Sequence, residues 1–185
     1  MTSKNRDDPT NKSIFTRFER REFLRSITNM EDLLFCRIGF NAGLRISEIT
    51  ALVLDDFILD KGLPPMIHVR KGKGSKERYA HVDDATVQMA FCYFENLDSS
   101  TKLFQKEDRT YERRFKKILE RSGITRIEPT PHSMRHTNIT MLLNRGMKIE
   151  KVMAHAGHTK IKHTVVYVHL AYIDRARRYD EIIGE

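Results

Sequence analysis

Two segments in the last third of the chain hold side chains whose types and spacing suit chemistry at a phosphodiester. The first reads P-H-S-M-R-H-T and places His132 and Arg135 three residues apart, so they are neighbours on one face of a helix. That face lies at a helix N-terminus, which favours anions. In the second segment, Tyr167 follows His158 by nine residues and offers a phenol as a nucleophile. Cationic donors beside an oxygen nucleophile indicate attack on a phosphate.

A third segment, G-L-R-I-S-E-I, places Arg45 three residues before Glu48 at the start of a short predicted helix. One interpretation is a surface ion pair that contributes a few tenths of a kcal/mol, by order of magnitude. The other is an arginine whose planar fork is held toward a phosphate by its own carboxylate. The spacing on its own favours the surface pair.

The charge distribution points to a polyanionic partner. The 185 residues carry a formal net charge of +8, and the basic side chains are clustered. Five Lys or Arg lie from Arg70 to Arg78, and eight lie from Lys102 to Arg121 against four acids. An inert basic surface is the alternative, but the clustering favours nucleic acid.

Composition also predicts a cytoplasmic protein without a membrane partner. No apolar run approaches the roughly 18 residues of a membrane span, and the first residues lack the apolar core of a signal peptide. Cys36 and Cys92 lie in apolar contexts, so we expect reduced core residues rather than a disulfide or a metal pair.

Most of the elements that must position these side chains are predicted to be helical. A capping box of Thr16 and Glu19 opens the first helix, in which Phe18, Phe23 and Leu24 are expected to face the core. Longer helices are expected at about 16–27, 30–42, 83–97, 108–121, 131–144 and 148–155.

Between Phe57 and Val82 the pattern alternates and predicts strands at 57–59, 66–69 and 79–82. The last two flank a basic hairpin tip, K-G-K-G-S-K-E-R, whose glycines would let the backbone approach a phosphate. A P-loop is excluded because its motif is absent. The predicted fold class is therefore α+β, mainly α-helical with a small three-stranded antiparallel sheet.

The chain is predicted to form one domain. Residues 1–14 are polar and without periodicity, which predicts a flexible N-terminal arm, and the domain spans 15–185. Apolar residues at helical spacing after Tyr167 predict an amphipathic tail helix at about 171–185.

Taken in order, G-L-R-I-S-E, G-K-G-S-K-E-R, P-H-S-M-R-H-T and G-H-T-K-I-K-H-T-V-V-Y resemble the catalytic domain of the tyrosine recombinase (phage integrase) family. The resemblance covers about Phe15 to His169. It implies a site-specific DNA recombinase, typical of mobile genetic elements, that breaks and rejoins strands through a 3′-phosphotyrosyl intermediate. The outcome would be integration, excision, inversion or resolution, and neither a cofactor nor a metal would be needed.

The resemblance also implies roles for single residues. Tyr167 would attack the scissile phosphate, His132 would accept its proton, and Lys73 would protonate the leaving 5′ oxygen. Glu48 would hold Arg45 from behind. The implied catalytic set is Arg45, Lys73, His132, Arg135, His158 and Tyr167, and the expected DNA contacts are Arg70, Lys71, Lys76, Arg78, Arg113 and Lys117.

Double-stranded DNA is the implied partner. The protein would be a homotetramer in the synaptic complex and a monomer in free solution, with accessory DNA-bending proteins as further candidate partners. One departure is His155, which lies where the family commonly has an apolar residue and which we interpret as a packing variation. Another is that many members carry a separate N-terminal helical domain. An isolated catalytic domain and a naturally short enzyme are both compatible with the sequence.

Three other functions fit some of these residues. A type IB topoisomerase uses similar chemistry but relaxes supercoils as a monomer. A metal-dependent hydrolase could use His132 and His136, spaced i,i+4, but the H-E-x-x-H motif is absent. A DNA-binding module with a dead site is disfavoured because every family position is filled.

Overall fold

The computed structural model of the chain describes residues 13–70, 77–125, 128–168 and 170–172. The helices are α1 (Arg17–Arg25), α2 (Met30–Ala42), α3 (Ile46–Ile49), α4 (Asp84–Tyr93), α5 (Asp108–Ser122), α6 (His132–Asn144) and α7 (Ile149–Ala156). Residues 162–168 and 170–172 are helical as well. The strands are β1 (Phe57–Ile58), β2 (Met66–Val69) and β3 (Arg78–His81). The predicted mainly helical α+β fold is confirmed.

The three strands form an antiparallel sheet in the order β1-β2-β3, as predicted. Ile67 of β2 pairs with Phe57 on one side and with Ala80 on the other, and all three side chains are buried. The alternation of buried and exposed residues along β3 places one face of the sheet on the core. The predicted hairpin tip, with Lys71, Lys73 and Lys76, lies outside the described residues.

The predicted capping box of α1 forms, with one error in the facing of that helix. The Thr16 hydroxyl accepts from the Glu19 N–H at 3.1 Å, and the Glu19 carboxylate accepts from the Thr16 N–H at 2.8 Å. Phe18, expected in the core, is 63% exposed. Phe23 and Glu19, four residues apart, form the buried face instead, so Phe18 points away from it and lies against the Arg21 guanidinium.

The core consists of two clusters. The larger one joins α1, α2, α5 and the sheet, and the rings of Phe15, Phe23 and Phe40 meet edge to face within it at 5.1–5.9 Å. The smaller one contains Ile139, Leu143, Val152, Ala156, Tyr167, Leu170 and Ala171. Helix α6 belongs to both, since Met134 packs in the larger cluster and Ile139 in the smaller. This helix therefore lies where the two halves of the molecule meet.

The chain contacts the folded domain already at Ser13 and Ile14, before the predicted domain boundary at Phe15. The Ser13 hydroxyl lies 3.2 Å from His136 Nδ1, and Ile14 packs against the smaller cluster. Of the two cysteines, Cys36 is buried as expected, and burial raises the pKa of its thiol. Cys92 is exposed, so its assignment to the core was wrong. No helix within the described ranges is long and apolar enough to cross a membrane.

Candidate active site

Arg135 is the most deeply buried of the predicted catalytic side chains that the structure describes, with 1% exposed. Its Nη1 donates to the Gly43 carbonyl at 2.8 Å, and its Nη2 donates to the Ala156 carbonyl. Both acceptors lie at helix C-termini, where carbonyls lack partners within the helix. Burial and then the charge of Arg45 lower the pKa of Arg135 to about 10, so it remains cationic at neutral pH.

Glu48 holds Arg45 by two hydrogen bonds. Its Oε1 accepts from Arg45 Nη1 at 2.9 Å, and its Oε2 accepts from the Arg45 backbone N–H at 2.8 Å. The side chain of Glu48 is only 9% exposed, whereas that of Arg45 is 36% exposed. The pair is therefore no ordinary surface ion pair, because the carboxylate lies in the interior and the arginine faces out from it.

A second arginine, Arg78, holds the same carboxylate from the inside. Its Nη1 and Nη2 each donate to one Glu48 oxygen at 2.9 Å, and its Nε donates to the His155 carbonyl at 2.9 Å. Burial raises the pKa of Glu48, but the hydrogen bonds and charges of Arg78 and Arg45 outweigh burial and lower it to about 2. Glu48 is thus an anion shared by two arginines.

This position corrects the expectation that Arg78 contacts DNA. Its side chain is 6% exposed, and its fork and Nε are engaged inside the protein, so it does not face a partner. Clustered basic residues in a sequence do not reveal that one of them faces a distant carboxylate. Sequence reasoning missed this inner partner of Glu48.

Tyr167 is buried in the smaller cluster, with 8% exposed, and lies close to two imidazoles. Its ring centroid is 5.4 Å from that of His136, edge to face, and 6.2 Å from that of His158, nearly parallel. Burial raises the pKa of the phenol, and the positive charges of Arg135 and Arg45 act in the opposite direction without cancelling it. The two arginines and the tyrosine therefore share one electrostatic environment.

The imidazoles of the site favour the neutral form. Burial and then the charges of Arg135 and Arg45 lower the pKa of His132, and they lower that of His158 to about 4. His158 is oriented by Thr164, whose hydroxyl lies 2.8 Å from its Nδ1. Neutral imidazoles can accept protons at neutral pH.

His136 is a member of the site that sequence reasoning considered only as a metal ligand. Its ring meets that of His132 edge to face at 4.9 Å. Burial and then the charges of His132 and Arg135 lower its pKa to about 4. The i,i+4 spacing could have placed it beside His132, but its contact with Tyr167 depends on the fold. No three His, Cys, Asp or Glu side chains could hold a metal ion in the part of the chain that the structure describes.

A cleft of about 940 Å³ adjoins the group formed by Arg45, Arg135, His158 and Tyr167, and two of them, Arg45 and His158, line it. Its cationic and imidazole side chains are Arg45, His68, Arg70, Lys102, His158 and His163. Arg70 is held at its rim, because Nη2 donates to the Ala51 carbonyl at 2.6 Å and to Asp56 Oδ2 at 2.9 Å, while half of its side chain stays exposed. Neither Arg135 nor Tyr167 is among the described lining residues, so the cleft lies beside these two side chains.

The remaining predicted DNA contacts do not line the cleft among the described residues. Arg113 and Lys117 are exposed on α5 and are not among the described residues that line the cleft. Lys71, Lys73 and Lys76 fall outside the described residues. The sequence indicated Lys102 only as the first residue of a basic segment, whereas the structure places it in the cleft wall.

Comparison with known proteins connects this arrangement to a family. The phage integrase family matches residues 13–173. Tyrosine recombinase XerC of Chlamydia trachomatis serovar L2 is 31% identical over 170 residues, which covers 85% of this chain and 52% of that protein. Tyrosine recombinase XerA of Thermococcus kodakarensis is 32% identical over 187 residues, with coverage of 92% and 64%. The chain thus spans about half to two thirds of the length of these relatives.

Solved structures share the fold. The crystal structure of XerA recombinase has a TM-score of 0.75 at 22% identity and covers 90% of this chain and 64% of its own. The catalytic domain of bacteriophage HP1 integrase has a TM-score of 0.66 at 21% identity, with coverage of 91% and 95%. XerH recombinase bound to a palindromic difH substrate has a TM-score of 0.74 at 20% identity, with coverage of 94% and 54%. The predicted catalytic-domain fold is confirmed, and the topoisomerase alternative is not favoured.

Proposed function

The chain belongs to the phage integrase family, and from this premise we propose that it breaks and rejoins DNA strands at specific sites through a 3′-phosphotyrosyl intermediate. The observation that carries the proposal is the convergence of Arg45, Arg135 and Tyr167. Both arginine charges act on the tyrosine phenol, and the arginines are anchored by groups behind them. Such a site suits an anion that is attacked by the tyrosine oxygen.

The arginines would stabilise the transition state. A phosphodiester carries one negative charge, and attack by an oxygen builds a second on the non-bridging oxygens. Fixed donors that meet this developing charge lower the barrier without reorganising during the reaction. The planar guanidinium suits this role because it can bind two oxygens at once. Burial of the Glu48 anchor supports the role, because it holds Arg45 before any substrate arrives.

Tyr167 would be the nucleophile. Because burial raises the pKa of its phenol, it needs a base in order to attack at neutral pH. His132 is the proposed acceptor, and its lowered pKa keeps its imidazole neutral and ready to take the proton. The phosphotyrosyl bond would retain the energy of the broken linkage, so a different 5′ hydroxyl could attack it and no external energy source would be needed.

Lys73 would protonate the departing 5′ oxygen. This is the assignment most open to testing, because Lys71 and Lys76 lie in the same basic turn. A substrate with sulfur in place of the bridging 5′ oxygen releases a thiolate, which can leave without a proton. The Lys73→Ala variant should therefore cleave ordinary DNA slowly and the sulfur-bridged DNA at close to the wild-type rate. Rescue of Lys71→Ala or Lys76→Ala instead would reassign the acid.

Double-stranded DNA is the proposed partner, and the cleft beside the cluster supports this choice. Arg70 and Lys102 line it together with Arg45, and the carboxylates of Glu48 and Asp56 pair with two of these cations. Lys102 and the half-exposed Arg70 thus lead along the walls toward Arg45. Backbone binding of this kind weakens steeply with salt, by a log-log slope of about 0.9 for each phosphate contact. A flat salt response of the binding constant would argue against this surface. The XerH structure contains a DNA substrate, and the same ligand class is proposed for this chain.

The finer proposals concern assembly and location. We infer a homotetramer at synapsis, a monomer before DNA binding, and action on DNA in the cytoplasm of a prokaryotic cell by an enzyme of prokaryotic or viral origin. Residues 15–185 would form the catalytic domain. Of the predicted tail helix at about 171–185, Ala171 is buried in the smaller cluster, so the residues after it would be the part donated to a neighbouring subunit. Deletion from Tyr172 onward should then abolish recombination and spare cleavage of a single site, whereas packing of the tail on its own domain would make the deletion unfold the protein.

The activity itself can be tested before the target site is identified. Purified protein is incubated in EDTA with a library of nicked duplexes that contain randomised inverted repeats, and adducts that survive detergent are sequenced. We expect covalent adducts enriched for one inverted repeat, linked at a DNA 3′ end. Absence of adducts with wild-type protein across the library would contradict the proposal. Adducts that require a divalent cation would indicate a different chemistry.

A further inference from the structure

His155 is a buried histidine in a position where the family resemblance leads us to expect an apolar side chain. It lies between α6 and β3 with 6% exposed, and both of its ring nitrogens have partners. The His81 backbone N–H donates to Nδ1 at 3.3 Å, and Nε2 lies 3.2 Å from Asn138 Oδ1. Since a buried imidazole is unfavourable unless its nitrogens are satisfied, these contacts explain how the fold accommodates it.

The partners select one form of the ring. A backbone N–H can only donate, so Nδ1 must carry a lone pair. The Asn138 amide is fixed by its nitrogen, which donates to the carbonyls of Phe40 and Asn41 at 2.9 and 2.8 Å, so its oxygen faces the imidazole. Nε2 must then carry the hydrogen. The ring is neutral and held as a single tautomer.

This hydrogen-bonded bridge joins the two helix ends that hold Arg135. On one side, Asn138 binds the last turn of α2, directly before Gly43, whose carbonyl accepts from Arg135. On the other side, His155 precedes Ala156, whose carbonyl is the second acceptor for the same guanidinium. The distance between these carbonyls determines where the fork of Arg135 points.

The same turn also supports the second arginine system. The His155 carbonyl accepts from Arg78 Nε at 2.9 Å, and Arg78 holds Glu48, which braces Arg45. Gly157, the next residue but one, has a φ of +68°, and a Cβ there would lie 3.0 Å from Arg78 Cδ. The end of α7 is thus packed directly on the arginine that supports Glu48.

We propose that His155 is a positioning residue for Arg135: its single neutral tautomer bridges Asn138 and β3 and so sets the spacing of the Gly43 and Ala156 carbonyls. This role rests on the proposed function, in which Arg135 meets the scissile phosphate. It goes beyond the implied family roles, because the bridge uses a histidine where the resemblance leads us to expect an apolar side chain. Misplacement of a catalytic group by about 1 Å can slow a reaction roughly a hundredfold.

The surroundings of the ring keep it neutral. Burial, then the charges of His81 and Arg78 on β3 and of Arg135 on α6, lower the pKa of His155 to about 4, while the Ala42 carbonyl acts in the opposite direction. Glu48 of α3 is linked to His155 through Arg78, which donates to the Glu48 carboxylate and to the His155 carbonyl. Protonation at Nδ1 would set an N–H against the His81 N–H and break the bridge.

Two variants and one control test the role on the duplex recovered by the adduct selection. His155→Gln keeps one donor and one acceptor, whereas His155→Leu keeps the volume and removes both. We expect His155→Leu to bind this duplex within about twofold of wild type but to form adduct at least about tenfold more slowly in a single turnover. His155→Gln should stay within about threefold of the wild-type rate, and Thr140→Val, a polar-to-apolar change on α6, should match wild type.

A folded His155→Leu variant with wild-type rate would overturn the proposal, and so would a His155→Gln variant as slow as His155→Leu. Nitrogen-15 NMR of histidine-labelled wild-type protein is a second test, and it needs neither DNA nor a variant. We expect His155 as the Nε2-protonated tautomer, without titration above about pH 5. A ring protonated on Nδ1 or titrating near its ordinary value would contradict the bridge. Failure of wild type to form adducts would count against the proposed function alone.

Discussion

The site has an arginine half and a tyrosine half, and their side chains are held in different ways. The arginine half consists of Arg45, Glu48, Arg78 and Arg135, and the tyrosine half consists of Tyr167 with His136 and His158. In the arginine half the partners are directional, namely a shared carboxylate and two backbone carbonyls. Tyr167, in contrast, is held by apolar packing and by the rings of two histidines. Hydrogen bonds constrain both distance and angle, whereas aromatic ring contacts are satisfied over a range of centroid distances of about 4.5–7 Å.

The two halves also rest on cores of different size. Glu48 and Arg78 are supported by the larger cluster, through which α2, α3 and the sheet are joined. The helical segment of Tyr167 packs on the smaller cluster, and its neighbours Val165, Val166 and Val168 are between 42% and 48% exposed. The comparison shows that hydrogen bonds hold the arginines in place, whereas packing and ring contacts hold Tyr167, the residue that the proposed mechanism requires to approach the phosphorus.

The largest effect should come from the tyrosine half. Tyr167→Phe removes only the nucleophilic oxygen and keeps the ring contacts, so adduct formation should fall to background while DNA affinity stays within about twofold of wild type. Gel analysis of adducts and a binding titration on the same duplex measure the two quantities. Peptide mapping of the wild-type adduct provides the check, because a link to Tyr172 or Tyr179 would reassign the nucleophile.

The next largest effect should come from Arg135. Arg135→Ala removes the proposed donor to the developing charge, which should slow adduct formation by about a hundred- to thousandfold. Arg135→Lys should recover little of the rate, since one ammonium group cannot bind two carbonyls and a phosphate in the geometry of a guanidinium. Single-turnover assays at saturating DNA measure both, with the exposed Arg21→Ala as a basic-residue control. A fully active Arg135→Lys variant would show that the fork geometry is unimportant.

The sequence predicted the elements better than it predicted their partners. The capping box of Thr16 and Glu19 and the end of α2 at Gly43 follow from local rules, and both appear in the structure. The predicted burial of Phe18 was wrong, because the face that a helix buries depends on which of its residues the neighbouring helices cover. The same limit explains Cys92, which follows the apolar pattern of α4 but lies on its exposed side.

In the site, Arg45 and Arg135 lie at the starts of α3 and α6, and both of these helices pack on α2. The charges of both arginines act on the phenol of Tyr167. The supporting groups could not be predicted. Arg78 is 30 residues from Glu48 in sequence, and His155 is 17 residues from Asn138. Such pairs depend on how the elements pack, and a basic run or a lone histidine has the same appearance whether it faces solvent or the core. The hairpin lysines remain predictions.

A stability effect of about 3 kcal/mol should distinguish Glu48 from surface acids. Its pKa is lowered from 4.5 to about 2 in the folded protein, so the folded state favours the anion. This stabilisation is complete above about pH 4.5 and is lost as the pH falls toward 2, which corresponds to about 3 kcal/mol. Glu48→Gln should remove it at pH 7 and flatten the acid limb of the unfolding free energy.

Urea unfolding of wild type and Glu48→Gln between pH 2.5 and 7 measures this difference. The matched control is Glu22→Gln, since Glu22 pairs with Arg21 and Arg25 on the exposed face of α1 and should change stability by less than about 1 kcal/mol. Equal effects of the two substitutions at pH 7 would contradict the contrast between an interior anchor and a surface pair.

The smallest effect concerns a buried hydroxyl on α6. Thr140 lies one turn after His136 on α6 and is 3% exposed, and its Oγ1 has no hydrogen-bond partner among the described residues. A buried hydroxyl without a partner is unfavourable, so Thr140→Val, which keeps the shape, should raise the unfolding free energy by about 1 kcal/mol. The same change at Thr137, whose hydroxyl donates to the Ser133 carbonyl at 2.7 Å and accepts from the Phe15 N–H at 3.1 Å, should lower it instead. Urea unfolding at pH 7 compares the two variants on one helix, and a destabilised Thr140→Val protein would show that the hydroxyl of Thr140 has a partner in solution.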